Sequence, residues 1–129
     1  MLANAKLIAF GAISDADRAR HFYCDLLGLD LKEETEFALV LDAAGVELRL
    51  QKVPEVRAPP YTSLGWQVAD IAETMRKLAA AGIAFEKYPF LEQDADGIWA
   101  APSGARIAWF RDPDGNLLSL TQHAGETAA

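Results

Sequence analysis

Apolar and polar positions along the chain follow two alternating periods, and they do so twice. Lys6–Ile13 (KLIAFGAI) is a short apolar run of the kind a buried strand produces. Ser14-Asp15 then offers a helix N-cap, with Asp17 as capping-box partner. Ala16, Ala19, Phe22, Tyr23, Leu26 and Leu27 recur at helical spacing until Gly28 closes the helix. Strand-like pieces follow at Leu29–Glu34, Phe37–Leu41 and Val46–Lys52, the last two separated by the hairpin connection Asp42-Ala43-Ala44-Gly45. The first pattern is therefore β-α-β-β-β.

After a proline-rich stretch the pattern restarts. Pro54, Pro59 and Pro60 deny that stretch a helix or central strand and make it an extended linker. Tyr61–Val68 reads as a strand, and Asp70 caps a helix with Glu73 three residues on. Ile71, Met75, Leu78 and Ala79 form its apolar stripe, and Gly82 ends it. Ile83–Tyr88 is predicted as a strand, Pro89 to Gly97 as a solvated loop, and Ile98–Ala101 as either a short strand or part of that loop. Arg106–Arg111 and Leu117–Gln122 are strands flanking Asp112-Pro113-Asp114-Gly115-Asn116, a turn in which proline fixes φ and the Asp-Gly-Asn run tolerates φ > 0. The two halves overlay at a nearly constant shift, Ser14-Asp15 on Ala69-Asp70 and Leu27-Gly28-Leu29 on Ala81-Gly82-Ile83. The expectation is a single domain over 1–129, with module one at about 5–53, the linker at about 54–60, module two at about 61–123, and a frayed tail from His123.

Composition narrows the function. The net charge of −7 argues against a nucleic-acid or anionic-membrane surface, which needs clustered Lys and Arg. No apolar run is long enough to span a membrane, no basic-then-apolar leader opens the sequence, and Cys24 is the only cysteine. A cytoplasmic protein is the expectation.

Ser14-Asp15-Ala16-Asp17-Arg18-Ala19 leading into Phe22-Tyr23-Cys24-Asp25-Leu26-Leu27-Gly28-Leu29, Val68-Ala69-Asp70 leading to Leu78–Ile83, and Phe110-Arg111-Asp112-Pro113-Asp114-Gly115-Asn116 together resemble the glyoxalase/bleomycin-resistance/extradiol dioxygenase group, the vicinal oxygen chelate superfamily. The resemblance spans essentially the whole chain. It implies an α+β fold, two tandem βαβββ modules forming a curved, cup-shaped mixed sheet, usually in a homodimer. It also implies that active members hold a divalent metal through His on the first strand and Glu on the last strand of each module. Carried over residue by residue, those positions read Ile8, Arg49, Ser63 and Ser119; a two-residue shift would put Glu47 or Gln51 in place of Arg49. Isoleucine has no donor atom and serine hydroxyls are weak ligands, so no metal and no cofactor are expected.

Strand alternation gives the alternative use of that face. Lys6, Ile8, Phe10 and Ala12 share one face of the first strand, and Tyr61, Ser63, Gly65 and Gln67 one face of the fifth. Glu47, Arg49 and Gln51 share a face of the fourth, and Leu117, Ser119 and Thr121 of the last. The candidate ligand-binding residues are Phe10, Arg49, Gln51, Ser63, Gln67, Trp99 and Ser119, a mixture suited to a modest organic molecule with a few hydrogen-bonding groups. Arg49 could fork onto a ligand carboxylate or phosphate, or pair with Glu47 as a structural bridge. Trp66 belongs to the helix-packed face. Trp99 either stacks on a ligand or packs, and the face of Trp109 is open by one residue of register. His21, His123 and Cys24 form no acid–base or nucleophilic constellation. Three functions remain: a metal-free binder of a small organic molecule with a sequestration or resistance role, a metal-dependent glyoxalase I-type lyase or isomerase with displaced ligands, and a dimerisation module without a useful cavity.

Overall fold

The computed structural model describes residues 1–125 and consists of two compact units, one running to Arg57 and the other beginning at Ala58. In the first unit β1 (Ile8–Ile13), α1 (Ala16–Arg20), β2 (Asp30–Glu34), β3 (Ala38–Ala43) and β4 (Val46–Lys52) build one sheet in the order β1-β4-β3-β2. In the second, β5 (Thr62–Gln67), α2 (Ile71–Ala80), β6 (Trp99–Ala100), β7 (Arg106–Arg111) and β8 (Leu117–Gln122) build another in the order β5-β8-β7-β6. The sheets are mixed in the same way: β1 runs parallel to β4 and β5 parallel to β8, and all other pairs are antiparallel. The internal repeat read from the sequence is thus a repeat of topology.

Alternation decides which face of the first sheet is core. Leu48 and Leu50 of β4 are buried, opposite Leu41 and Leu39 of β3, whereas Glu47 and Arg49 between them are half-exposed and Gln51 is exposed. Together with Ile13, Ala19, Phe22, Tyr23, Ala38 and Val40, these leucines supply the first unit's buried apolar side chains. The β3–β4 connection is shorter than predicted. Ala43 already pairs with Val46, and the two-residue turn Ala44-Gly45 has φ of 49° and 89°, a twist-compatible hairpin turn in which Asp42 Oδ1 accepts from the Gly45 N–H at 3.2 Å.

Helix α1 departs from a single α-helix. Its N-cap is Asp15 rather than Ser14, the Asp15 carboxylate accepting from Arg18 N–H at 3.0 Å, and Asp17 pairs with Arg20. After Arg20 the chain widens into a π-helical segment, His21–Leu26, and the Leu27 N–H reaches back five residues to the Phe22 carbonyl. The wider turn accommodates two adjacent buried rings, Phe22 and Tyr23, packed edge-to-face at 5.1 Å.

In the second unit Asp70 caps α2 as expected, accepting from Glu73 N–H at 3.1 Å. The predicted strand Ile83–Tyr88 does not form. Only Phe85 bridges β7, at Phe110, and the Glu86 N–H donates to the Trp109 carbonyl at 2.8 Å. Beyond that point the Gln93 side chain replaces the ladder. Its Oε1 accepts from the Tyr88 N–H at 2.7 Å, and its Nε2 donates to the Glu86 and Gly97 carbonyls at 3.0 and 2.7 Å. The chain then returns as β6, which pairs with Arg106 and Ile107 at the other end of β7. The free edge of β7 is covered in two pieces by two short segments.

Candidate functional site

The Asp112–Asn116 turn sets the register of the last hairpin. Asp112, 5% exposed, accepts through Oδ1 from the Asp114 and Asn116 N–H groups at 3.0 and 2.8 Å, and through Oδ2 from Asn116 Nδ2 at 2.8 Å. Its own N–H donates to the Asn116 carbonyl at 3.0 Å, and Gly115 takes a φ of 86°. Three hydrogen bonds to this carboxylate close the turn itself, a structural use of the motif. Arg111 therefore pairs with Leu117, and Trp109 falls opposite Ser119.

Gln122 identifies which face of this sheet is open. Its Oε1 accepts from the Ile71 N–H at the start of α2, at 2.9 Å, so the even residues of β8 lie under the helix. Leu118 and Leu120 share that side with Ala108, Phe110 and Trp66. The odd residues form the opposite face, and beyond the Arg111–Leu117 pair it has two rows. One row runs Gly65–Ser119–Trp109, and the next Gln67–Thr121–Ile107–Trp99. A Cβ added at Gly65 would lie 2.6 Å from Ser119 Oγ, so the first row has a low floor of Gly65 and Ser119 beside the wall of the Trp109 ring.

Aromatic side chains line the Trp109 end of this face. Phe90 and Tyr88 have ring centroids 5.4 Å apart, Tyr88 stands edge-to-face to Trp109 at 5.7 Å, and Trp109 lies 6.1 Å from Trp99. Trp109 and Trp99 are half-buried, and Phe90 is 78% exposed. The Tyr88 hydroxyl is buried without a hydrogen-bond partner; burial, then the nearby Glu86 carboxylate, push this phenol above its ordinary value, against Arg111. Arg111 itself is ion-paired to Glu86 and donates to the Gly115 carbonyl at 2.9 Å.

The sequence-derived candidates are divided between the two sheets. On the first sheet Phe10 lies directly across from Arg49, and Gln51 across from Ala12 and Ala38. Phe10 is 54% exposed, and Arg49 Nη1 donates to Glu47 Oε2 at 3.3 Å, the structural-bridge alternative. A groove of about 790 Å³ runs along one end of this sheet, between Lys6–Ile8, Lys32-Glu33 and the Asp42–Glu47 hairpin; none of the candidate residues lines it. On the second sheet Gln67, Trp99 and Ser119 share the open face. Ser63 is exposed at an irregularity where β5 slips against β8 between Thr62 and Leu64. Trp109, Tyr88 and Phe90 are the residues the sequence reading did not select. Counting back from the Arg111–Leu117 closing pair would have placed Trp109 beside Ser119; no comparable signal marks Tyr88, which reaches the face because Gln93 turns its backbone out of the ladder.

The donor set does not suit a metal. Ile8, Arg49, Ser63 and Ser119 supply neither imidazole nor carboxylate, and among the described residues no three His, Cys, Asp or Glu side chains converge. Within the β6 approach, the Asp94 carboxylate closes a loop by accepting from the Asp96, Gly97 and Ile98 N–H groups, each at 2.9 Å. Partial burial pushes this carboxyl up, but those three donors together hold it below its ordinary value. Cys24 is pushed up by burial and by Asp25, away from thiolate reactivity.

The model of the Glyoxalase/Bleomycin resistance protein/Dioxygenase superfamily matches residues 11–120. The chain belongs to that superfamily. Solved structures share the fold across almost the whole length. A glyoxalase family protein from Enterococcus faecalis is 24% identical, with TM-score 0.73 over 94% of this chain and 99% of that one. The bleomycin resistance determinant encoded on transposon Tn5 is 22% identical, with TM-score 0.72 over 93% and 98%. A fosfomycin resistance protein from Listeria monocytogenes is 13% identical, with TM-score 0.73 over 95% and 96%. No curated protein matches the chain.

Proposed function

We propose that this superfamily member binds a small organic molecule without a metal, and that its role is sequestration of that molecule. What supports this reading is the chemistry of the residues that the family resemblance assigns to the metal-ligand positions, Ile8, Arg49, Ser63 and Ser119, in a chain that carries the superfamily fold. Two structural neighbours are a bleomycin resistance determinant and a fosfomycin resistance protein, and a resistance role for this chain is proposed by analogy of fold. Candidate contacts are Gln67, Trp99 and Ser119 on the second sheet, and Phe10, Arg49 and Gln51 on the first, with Ser63 at the edge of β5; a homodimer is the proposed assembly. Dialysis against EDTA followed by a tryptophan-fluorescence titration with a library of drug-like and metabolite-like compounds tests the reading. Saturable quenching by at least one compound, with the same Kd before and after EDTA, is expected. Binding or turnover that appears only after Ni, Co or Zn is restored would refute it. Sedimentation velocity gives the assembly from the same sample.

A further inference from the structure

We propose that Asp96-Gly97 is a site of spontaneous isoaspartate formation that the Asp94 carboxylate holds closed, and that its conversion releases the Gln93 bonds covering the β7 edge. The chain contains two Asp-Gly steps, Asp96-Gly97 and Asp114-Gly115, and no Asn-Gly. At such a step the glycine nitrogen, unshielded by a Cβ on its own residue, can lose its proton to water and attack the aspartate Cγ. A water molecule leaves from the carboxyl group as a succinimide ring closes. Water then adds back to one of the two ring carbonyls. At Cγ it restores aspartate; at the former backbone carbonyl it leaves the chain running through Cβ and Cγ. The sum of the two steps is an isomerisation, with no oxidant or reductant.

Asp96 is exposed, so its carboxyl group is open to water, and what the fold restrains is the nucleophile. Gly97 is buried, and its N–H donates to Asp94 Oδ1 at 2.9 Å and to the Asp94 carbonyl at 3.1 Å. The same Oδ1 accepts from the Asp96 and Ile98 N–H groups, each at 2.9 Å, which fixes the backbone on both sides of the reacting atoms. Loss of the Gly97 proton would create a nitrogen anion beside a carboxylate, and the two charges repel. At the other step the Gly115 N–H donates to a neutral acceptor, the Asp112 carbonyl, at 3.0 Å. The position of Gly97 gives the modification a consequence. Its carbonyl accepts from Gln93 Nε2 at 2.7 Å, and a Cβ there would lie 3.5 Å from both the Glu86 carbonyl oxygen and Phe85 Cβ. Lengthening the backbone by one methylene at Asp96 displaces Gly97 from this close fit, and the Gln93 amide that holds Tyr88 loses a partner.

The test ages wild type, Asp94→Asn and Asp94→Ala at mildly acidic pH. Isoaspartate at each step is quantified by peptide mapping and by labelled methyl transfer with an isoaspartyl carboxyl methyltransferase. In folded wild type the Asp96 rate should be at least tenfold below that of the guanidinium-unfolded chain; equal rates would show that the fold closes nothing. Asp94→Ala should raise the Asp96 rate at least fivefold, and Asp94→Asn, which keeps an oxygen acceptor without the charge, should fall between. Asp114 should stay within twofold of wild type in both variants, an internal measure of global loosening. A smaller rise at Asp96 in Asp94→Ala, or a parallel rise at Asp114, would overturn the closure by Asp94, and an Asp94→Asn rate equal to wild type would overturn its electrostatic cause. In the aged fraction that mapping shows to be modified at Asp96, the Tyr88 amide should exchange at least tenfold faster than in unmodified protein, with β8 unchanged. Unaltered Tyr88 exchange would overturn the coupling to Gln93.

Discussion

Adding one methyl group at Gly65 and removing one oxygen at Ser119 forms a pair of perturbations whose coupling can be worked from the structure. A Cβ at position 65 would lie 2.6 Å from Ser119 Oγ but 3.7 Å from its carbonyl oxygen and 3.9 Å from its Cβ, so the hydroxyl is the only clash. Gly65→Ala must turn that hydroxyl away, beside the Trp109 ring, and should cost about 1–2 kcal/mol. Ser119→Ala alone should change stability by less than about 0.5 kcal/mol, because the hydroxyl makes no hydrogen bond among the described residues. In the double variant the two methyl carbons meet at about the ordinary contact distance. Losing the glycine's unfolded-state freedom then contributes about 0.5 kcal/mol in favour of the fold. The double variant should therefore equal or exceed the wild type, with a coupling energy of about 1.5 kcal/mol from urea unfolding of all four proteins. Effects that add to within about 0.3 kcal/mol would show that Gly65 and Ser119 do not share the floor described above.

Gln93→Ala removes three hydrogen bonds that stand in for a strand and should destabilise the protein by about 2–3 kcal/mol, with faster amide exchange at Tyr88 and unchanged exchange in β8. Tyr88→Phe deletes a buried hydroxyl that has no partner; it should leave stability unchanged or raise it by about 1 kcal/mol in thermal or urea unfolding, and a loss of more than that would reveal a partner. Because the folded Asp94 pKa lies below its ordinary 3.8, its carboxylate stabilises the fold above that value and the contribution disappears as pH falls through the folded pKa. The stability difference between wild type and Asp94→Ala should be constant well above pH 3.8 and shrink as the pH falls below it, as followed by urea titrations at stepped pH.

Most of the architecture was legible because it is encoded locally. Caps at Asp70 and Asp15, the proline linker and the Asp112–Asn116 turn each bring their own hydrogen-bonding or φ constraint, and strand alternation in β4 separates Leu48 and Leu50 from Glu47, Arg49 and Gln51 without help from elsewhere. The failures share one origin. Ile83–Tyr88 has the composition of a strand, but whether it pairs along its length depends on a glutamine several residues later competing for its backbone groups. Likewise the π-helical turn at His21–Leu26 keeps the apolar spacing of an α-helix, and only the burial of both Phe22 and Tyr23 calls for the extra width. The candidate site was half legible: Gln67, Trp99 and Ser119 share a face as alternation requires, while Tyr88 joins it through a tertiary bond that no local pattern announces.

The two-piece covering of β7 bears on how this chain avoids sticking to itself. A six-residue strand left bare would offer a row of backbone donors and acceptors to any extended segment, the template from which fibrils and strand-exchanged oligomers grow. Here the row is interrupted: Phe85 and Glu86 occupy the Trp109–Phe110 end, β6 the Arg106–Ile107 end, and neither cover is long enough to recruit a further strand in register. Loosening the Gln93 bonds would free Tyr88 and, with it, the cover at Trp109, converting a closed margin into a nucleation surface. The same amide that orders the aromatic row thus also holds the cover of this edge in place.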